Sequence, residues 1–263
     1  MTNLYEFHDL TAKSTRVQLM PEALTFGGVN IDKELAGYRT LNVSGRENFT
    51  RSINTANSTA DGELFISSKI GTAELTIKYQ LNADTIDEFN RRYTQLKYWL
   101  QGDEQPFYFA DENEFVRYGT VTSLNNDTVG EINTTGTITI KMTDPFRYGQ
   151  LKKISGTDTL VFNDPQIKYK QNIDKLYFNV TKQTNTLTLT IDNYKLSISG
   201  SFTVGSLITI DFNSLTIKQG TASILNGVNI LLTDIFEAKV SNGSIISSQF
   251  TDKLNVDYKV RIL

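Results

Sequence analysis

Apolar and polar residues alternate with a period of two along most of this 263-residue chain, a pattern typical of strands with one buried face. The runs in the first half are ELFISSKI (63–70), AELTIKYQL (73–81), PFYFA (106–110), FVRYGTVTS (115–123) and TGTITIKM (135–142). Those in the second half are KLYFNV (175–180), TLTLTI (186–191), YKLSIS (194–199), SLITIDF (206–212), SLTIK (214–218) and NVDYKVRIL (255–263). We therefore predict a mainly β protein.

One segment, residues 84–101, has helical spacing instead. Its apolar stripe consists of Ile86, Phe89, Tyr93, Leu96 and Leu100, widened by Trp99. Asp84 or Thr85 can cap its N-terminus, with Asp87 or Glu88 reaching back, and Gly102 suits a left-handed C-terminal cap. The opposite face, predicted to be solvated, carries Arg91, Arg92, Gln95 and Lys97. Such a helix is expected to bury one stripe against a sheet.

A domain boundary is predicted near Gly149. The segment TDPFRYG (143–149) ends a strand with a proline, which cannot continue a central ladder. The charge balance also changes there. Residues 1–149 carry 14 Lys+Arg and 20 Asp+Glu, a net charge of −6, whereas residues 150–263 carry 12 and 9, a net charge of +3. We predict two domains, 1–149 and 150–263.

Two shorter stretches carry further predictions. Asp192 and Asn193, between TLTLTI and YKLSIS, predict a two-residue hairpin turn. Residues 44–62, SGRENFTRSINTANSTADG, are too polar to form part of a core and long for a passive connection. The pattern predicts no regular structure across that stretch.

Composition excludes several chemistries. The chain has no cysteine and a single histidine, His8, so thiolate metal sites, cysteine nucleophiles and disulfides are excluded, and a Ser-His-Asp triad would depend on His8. We expect no cofactor and no metal. A net charge of −3 and the lack of any apolar run near 18 residues predict neither bulk nucleic-acid binding nor membrane insertion. The first residues, MTNLYEFHDLTAK, lack a secretory pattern, so we expect folding in a cytosol.

The acidic loop between the aromatic strands contains Asp111, Glu112 and Glu114. A glycosidase or peptidase, or a hard-cation site, is one interpretation. Three acids within four residues of one hairpin tip do not face each other across a cleft, so a solvated turn is the preferred interpretation. A carbohydrate-binding module is the other alternative. Its sugar platform would have to use Tyr169, Tyr177, Tyr194 or Tyr258.

Taken in order, the motifs of the first half resemble the distal tail protein family of long-tailed (siphovirus-type) bacteriophages and prophages. The ordered motifs are Gly45-Arg46, the polar excursion, Asp61-Gly62, LTIKYQL, a helix closing in Trp99-Leu100, the FYFADE strand and turn with Asp111, an aromatic strand with Tyr118, and Asp144-Pro145-Phe146. No motif is specific alone, but the ordered set is fairly specific over residues 1–149. The second half matches only as a β-rich sandwich of suitable size.

The resemblance implies a non-enzymatic homo-hexameric ring at the virion tail tip, assembled in the bacterial cytoplasm, with a channel for DNA. It implies a first domain like a tail-tube subunit, a β-sandwich with one flanking α-helix and an extended hairpin arm, and a second, galectin-like β-sandwich. The implied partners are the tail tube protein, a tail-associated tip protein and receptor-binding or baseplate proteins. It implies no sequence-specific nucleic acid and no membrane.

The polar excursion and the strand after it would form the arm in such a ring. The candidate subunit-interface residues are Arg46, Phe49, Arg51, Ile53, Leu64 and Phe65. The apolar members of this set would become buried only on assembly. A flexible loop is the competing interpretation of the same stretch.

Overall fold

The computed structural model describes residues 20–127, 131–248 and 253–263, and it is mainly β, as predicted. His8 lies outside the described residues. The chain divides into two compact units, one ending at Arg147 and including Leu263, the other running from Tyr148 to Ile262. β-strands with alternating burial dominate both units, because residues that alternate in polarity can place one face on a core and the other in water.

Unit 1 is built from one large antiparallel sheet, one separate hairpin and two helices. Its elements are β1 (Leu24–Phe26), β2 (Val29–Asn30), α1 (Ile31–Glu34), β3 (Tyr38–Ser44), β4 (Arg51–Asn57), β5 (Glu63–Ile70), β6 (Ala73–Asn82), α2 (Ile86–Trp99), β7 (Gln105–Phe109), β8 (Arg117–Asn126) and β9 (Asn133–Met142). The seven-stranded sheet has the order β2-β1-β7-β8-β9-β6-β3, and β4 and β5 pair only with each other.

Strand β8 joins the two halves of the large sheet. Its first residues pair with β7, and from Thr120 onward it pairs with β9. Gly119 lies at the change of partner, where an added Cβ would lie 2.7 Å from Cγ2 of Ile140. The two halves contribute to a single apolar core, with Phe26 and Phe107 from one half and Ile77 from the other. Both halves of the sheet therefore share one apolar core.

Helix α2 packs on this core as its spacing predicts. Phe89, Leu96 and Leu100 are buried, and Trp99 is half-buried against the same core. Thr85 caps the N-terminus by accepting a hydrogen bond from the Glu88 amide at 3.2 Å.

Two predictions for α2 were wrong. Ile86 is 60% exposed, because it begins the helix one turn before the first buried position. Arg92 does not lie on a solvated face, because its guanidinium is bound by the Asn82 carbonyl and the Glu88 carboxylate.

Edge strand β3 is protected by side chains of its own chain. The buried carboxylate of Asp32, in α1, accepts from the Thr40 amide at 2.7 Å and from the Thr40 hydroxyl at 2.7 Å. The Glu22 carboxylate accepts from the Val43 amide at 3.1 Å. These contacts occupy amides that an edge strand would otherwise offer to another strand. Side chains of the same chain therefore occupy the Thr40 and Val43 amides on this edge of the sheet.

Unit 2 consists of two sheets around a second core. Its strands are β10 (Arg147–Gly156), β11 (Thr159–Val161), β12 (Lys175–Asn179), β13 (Thr184–Ile191), β14 (Tyr194–Phe202), β15 (Leu207–Asp211), β16 (Thr216–Gln219), β17 (Ala222–Ser223), β18 (Ile245–Ser248) and β19 (Leu254–Ile262). The sheets have the orders β10-β19-β12-β15-β16-β17 and β11-β18-β13-β14. The predicted hairpin turn is confirmed, since Ile191 pairs with Tyr194 and Asp192 has φ +50°.

The polar stretch 44–62 is not devoid of regular structure, so that part of the prediction was wrong. Strand β4 occupies residues 51–57 and pairs with β5, which coincides with the predicted run 63–70. Alternation could not reveal β4, because all seven of its residues are exposed and neither face needs to be apolar. Backbone pairing with β5, rather than burial, defines this strand.

Candidate subunit-interface arm

Residues 47–70, here called the arm, form a hairpin whose only strand pairing is internal. Apart from Ser58 and Ile70, every residue of the arm is exposed. An isolated two-stranded hairpin is at best marginally stable in water, because it buries little apolar surface. Such an exposed hairpin is typical of a segment that packs against another molecule.

The register places three large apolar side chains together on one face of the arm. Ile53 lies opposite Ser68, Thr55 opposite Phe65, and Arg51 opposite Ile70. Directly opposed residues and alternate residues of one strand share a face. Ile53, Phe65 and Ile70 consequently lie together, and we call these three residues the apolar face of the arm. Leu64 lies opposite Ala56, on the other face.

These side chains are exposed to an extent that is unusual for their type. The exposed fractions are 56% for Phe49, 62% for Ile53, 60% for Leu64, 66% for Phe65 and 56% for Ile66. Ile66 is the additional residue at a β-bulge between the Asn54 and Thr55 pairs. Single exposed apolar residues are ordinary, but a grouped set on one projecting element is characteristic of an interaction surface.

The base of the arm is closed by backbone contacts. The Gly71 amide donates to the Thr50 carbonyl at 2.8 Å, and the Thr50 hydroxyl donates to the Thr72 carbonyl at 3.2 Å. Gly45 precedes the arm with φ +93°, and an added Cβ would lie 2.5 Å from the Glu74 carbonyl oxygen. Only glycine fits both this backbone conformation and this close approach. Gly62, in the turn at the tip, has φ +92°.

Arg46 anchors the chain where it enters the arm. Its guanidinium binds Asp111 with two hydrogen bonds, at 2.9 and 3.0 Å, and lies 3.0 Å from Oε2 of Glu112. It also stacks over the Phe109 ring, 4.8 Å from the ring centre. Bidentate pairs of this kind are geometrically specific. The structure thus places the Arg46 side chain, 11% exposed, within its own subunit at the base of the arm.

Glu112 joins two more arginines to the same group. Arg117 Nη1 lies 2.7 Å from Glu112 Oε2, and Arg147 binds Glu112 Oε1. The Arg117 side chain is only 3% exposed. We call the whole group the ionic clamp, which comprises Glu22, Arg46, Asp111, Glu112, Arg117 and Arg147. Three carboxylates and three guanidinium groups balance, so the clamp brings together formal charges that sum to zero.

The clamp shifts the acidity of its members. Burial by itself raises the pKa of Glu112, but the hydrogen bonds and charges of Arg117 and Arg46 outweigh it, and the net pKa is lowered. Burial lowers the pKa of Arg117, and Glu112 opposes that shift. For Glu22, burial outweighs the Val43 amide and the charge of Arg46, so its pKa is raised. Of Glu22 and Glu112, it is thus Glu112 whose pKa the arginines hold below the usual glutamate value.

The interpretation of the acidic loop as only a solvated turn was wrong for Asp111 and Glu112. Both are bound by arginines, whereas Glu114 is exposed. The three acids do not form a facing pair of carboxylates across a cleft, because two of them point into the clamp. Sequence reasoning missed the clamp because Arg46 and Asp111 are 65 positions apart.

The remaining motif residues occupy structural positions. Leu100 ends α2 in the core, and Tyr118 pairs with Pro106 across β7 and β8. The Asp144 carboxylate accepts from the amide of the buried Phe146 at 3.1 Å, which fixes the turn around Pro145. The roles of these residues in a family motif stay predictions.

Unit 2 carries its own exposed apolar segment, Ile230–Leu232, which we call the knuckle. Its three side chains are 85%, 95% and 51% exposed. Both ends are fastened to strand β14: the Asn229 amide donates to the Ser197 carbonyl at 2.9 Å, and the Asp234 amide donates to the Lys195 carbonyl at 3.0 Å. Backbone hydrogen bonds at both ends therefore fix the knuckle, an exposed apolar segment, to strand β14.

The alternative interpretations as a sugar-binding or metal-binding site have less support than the arm. Tyr258, one of the possible sugar-platform tyrosines, is buried and donates to the Asp164 carboxylate at 2.8 Å. Among the described residues, no group of three or more acidic or histidine side chains could hold a metal ion. Within the same ranges, no helix combines the length and apolarity required to cross a bilayer.

The chain was compared with known protein families, sequences and structures. No family model matches the sequence, and no curated protein matches it. Among solved structures, the chain is similar to the Dit protein (gp 19.1) of phage SPP1, described as a paradigm of the hub adsorption apparatus in phages that infect Gram-positive bacteria. The two share 13% identity and a TM-score of 0.76, over 92% of this chain and 99% of that chain. A chain of the phage P2 baseplate in its activated conformation with Ca has 10% identity and a TM-score of 0.47, over 88% and 92% of the chains.

The fold defines a class of β protein with two compact units, a flanking helix and a projecting hairpin, and a phage hub protein of known structure shares it. More particularly, the chain has the fold represented by SPP1 Dit. This confirms, at the level of the fold, the resemblance to distal tail proteins that the sequence predicted.

Proposed function

We propose that this protein is a structural hub of a bacteriophage tail tip, which forms a homo-hexameric ring between the tail tube and the host-adsorption or baseplate apparatus. The observation that carries the proposal is the fold shared with SPP1 Dit over almost the whole of both chains. The exposed arm adds independent support, because an apolar ribbon on a folded unit requires a covering surface.

The mechanism is geometric. A ring closes when one patch of a subunit binds a different patch of the next subunit and the rotation between them closes. Fully burying an isoleucine or phenylalanine side chain contributes about 1.5–3 kcal/mol, so Ile53 and Phe65 together favour assembly by roughly 2–4 kcal/mol, given their present exposure. The ionic clamp fixes the direction in which the arm leaves its subunit, which lowers the entropy lost on docking.

Unit 2 acts as a galectin-like docking domain in this proposal. The knuckle supports that role, because an apolar projection held at both ends is suited to a groove on another protein. The proposed partners are the tail tube protein, a tail-associated tip protein and receptor-binding or baseplate proteins. The protein acts at the virion tail tip without a cofactor and is not an enzyme.

The charge of the ring-forming half suits a channel for DNA. Residues 1–149 have a net charge of −6, and like charges keep a passing phosphate backbone from binding. A ring whose channel is lined by unpaired Lys and Arg would overturn this part of the proposal.

The test is assembly of the full chain, alone and with its tail-tip components. Native mass spectrometry and low-resolution imaging should show six copies in an annulus. Ile53→Asp and Phe65→Asp should leave folded subunits that fail to form it, because each places a charge in the buried contact. Ser67→Asp is the matched control, since this exposed residue lies on the other face of the same strand.

The outcomes are distinct. Rings from the control together with folded monomers from the two variants support the proposal. Intact hexamers from both variants would show that the arm is not part of the subunit interface. A chain that stays monomeric even within assembled tail tips would overturn the hub itself.

A further inference from the structure

The outer face of the six-stranded sheet in unit 2 carries an excess of positive charge. Leu176, Ile210 and Val256 point into the core, so the residues next to them in each strand project from the opposite side of the sheet. We call this side the basic face, and its charged residues are Lys153, Lys175, Lys218, Lys259, Arg261, Asp211 and Asp257. Five cations against two carboxylates give it a net charge of +3. The four strands of the other sheet include a single charged residue, Lys195.

A tyrosine lies in the middle of the basic face. Tyr177 pairs with Asn255 on one side and with Thr209 on the other, and Lys218 lies opposite Thr209. This row of four side chains extends for about 14 Å across four strands. Tyr177 is half-buried, so neighbouring side chains hold its ring while part of the ring reaches solvent. An aromatic ring with an amide and a hydroxyl beside it offers a sugar one apolar surface and two hydrogen-bonding groups.

The lysines around this tyrosine are only weakly paired. Lys175 lies opposite both Asp257 and Asp211, and its Nζ is 3.5 Å from Asp211 Oδ2. Lys153 Nζ is 3.8 Å from Asp257 Oδ2, and Lys218 has no ion pair within the part of the chain that the structure describes. The side chains of Lys153 and Lys175 are 65% and 49% exposed. Because an ammonium group has three donors, each of these lysines keeps donors for a ligand.

The two carboxylates restrict the kind of anion that fits. Asp257 is 8% exposed, and its Oδ1 accepts no hydrogen bond from the described residues. Buried acceptors in native folds almost always have a donor. Carboxylates accept hydrogen bonds from sugar hydroxyls and repel a continuous row of phosphates. A face that mixes lysines with Asp211 and Asp257 therefore suits a polymer in which sugars separate the phosphates.

The basic face is less suited to a protein partner. Among the outward side chains of β12, β15, β16 and β19, only Leu207 is aliphatic, and it is 42% exposed. The centre of a protein interface is usually apolar and depleted of charged residues. Here the centre has one half-buried tyrosine surrounded by amide, hydroxyl and charged groups, which is a composition suited to a hydroxyl-rich ligand.

We propose that the basic face binds a phosphodiester-linked glycan, with one sugar ring lying on Tyr177 and phosphates of the glycan bound by Lys175 and Lys218. Lysine binds phosphate as a point charge, without the fixed geometry that arginine requires. Each phosphate that is neutralised releases counterions, which makes binding favourable at low salt. The site does not depend on ring formation, so it is separate from the hub function.

Equilibrium binding of the full-length chain to soluble probes tests this site. The probes are a phosphodiester-linked hexose polymer, a neutral glucan of the same length and duplex DNA of the same total charge. The hexose phosphate polymer should bind at least about tenfold more tightly than either of the others, and its affinity should fall as the ionic strength is raised to about 0.15 M.

Variants of the basic face assign the binding to particular residues. Tyr177→Ala and Lys218→Glu should each lower the affinity about tenfold or more, whereas Tyr177→Phe should stay within about twofold of the parent because it keeps the ring. Lys195→Glu is the matched control, since it makes the same charge change on the outer face of the other sheet, and it should change the affinity less than about twofold. Lys218 is exposed, so its variant tests the site even if Tyr177→Ala unfolds.

Four results would overturn the inference. Equal affinity for DNA and for the hexose phosphate polymer would mean that charge alone is bound, and equal affinity for the neutral glucan would mean that phosphate is not recognised. A loss with Lys195→Glu as large as that with Lys218→Glu would show an effect of total charge. Binding of polyglutamate with none of the hexose phosphate polymer would indicate an acidic protein partner. None of these results bears on ring formation, so the hub function would stand or fall separately.

Discussion

Replacing Glu112 by Gln removes the charge at the centre of the ionic clamp and leaves the size of the side chain almost unchanged. Glu112 is the carboxylate partner of Arg117, whose side chain is 3% exposed, and it also lies against Arg46 and Arg147. Removing one partner of a buried ion pair costs about 3–5 kcal/mol, because the other charge remains buried and uncompensated. Glu112 itself is 18% exposed and Arg46 keeps Asp111, so we expect a loss of about 2–4 kcal/mol.

The assay follows from the single tryptophan of the chain. Trp99 lies in unit 1, half-buried against its core, so its fluorescence in urea reports the unfolding of that unit alone. With an m value of about 2 kcal/mol per molar urea, the midpoint should fall by about 1–2 M. Glu114→Gln, two residues further along and exposed, is the control and should stay within about 0.5 kcal/mol of the parent. A Glu112→Gln midpoint equal to that of the control would refute the energetic role of the clamp.

Two further predictions concern the same unit. Because the pKa of Glu112 is lowered in the folded state, its carboxylate stabilises unit 1 above the usual glutamate pKa of 4.5, and that contribution is lost as the pH falls through the lowered value. The urea midpoint should therefore decline more steeply between pH 6 and pH 3 for the parent than for Glu112→Gln. Parallel curves would contradict the assignment. Gly45→Ala should destabilise unit 1 by more than about 2 kcal/mol, since it adds a clash with the Glu74 carbonyl to the cost of a positive φ. Gly28→Ala, with φ +84° and nothing within 4 Å of the added Cβ, should cost only about 1 kcal/mol. Equal costs for the two variants would show that the structure around Glu74 relaxes to accept the added Cβ.

Features that depend on near neighbours could be predicted from the sequence. Strand β5 was placed at its observed bounds from alternation, and the Asp192 turn from two residues. Thr85, one of the two capping residues that the sequence offered, caps α2. Each of these depends on interactions within a few positions of the chain, where side-chain type and spacing carry most of the information.

Features that depend on distant residues could not be predicted. The loop containing Asp111 and Glu112 was interpreted as solvated because three acids at one hairpin tip do not face each other across a cleft. Its actual partners, Arg46 and Arg147, lie 65 and 35 positions away, and nothing in their local sequence marks them as a pair. The prediction that Ile86 is buried was wrong for a related reason. Helical spacing gives the direction of a side chain but not the point at which the neighbouring core ends.

The sequence by itself determined that the chain is mainly β, that one amphipathic helix packs on a sheet, and that the motifs of the first half follow the order seen in distal tail proteins. The tertiary structure alone decided that Ile53, Phe65 and Ile70 share one face of the arm, and that six charges from separate segments meet at its base. Periodicity is a property of adjacent residues, whereas the clamp depends on which distant segments the fold brings within about 3 Å of each other.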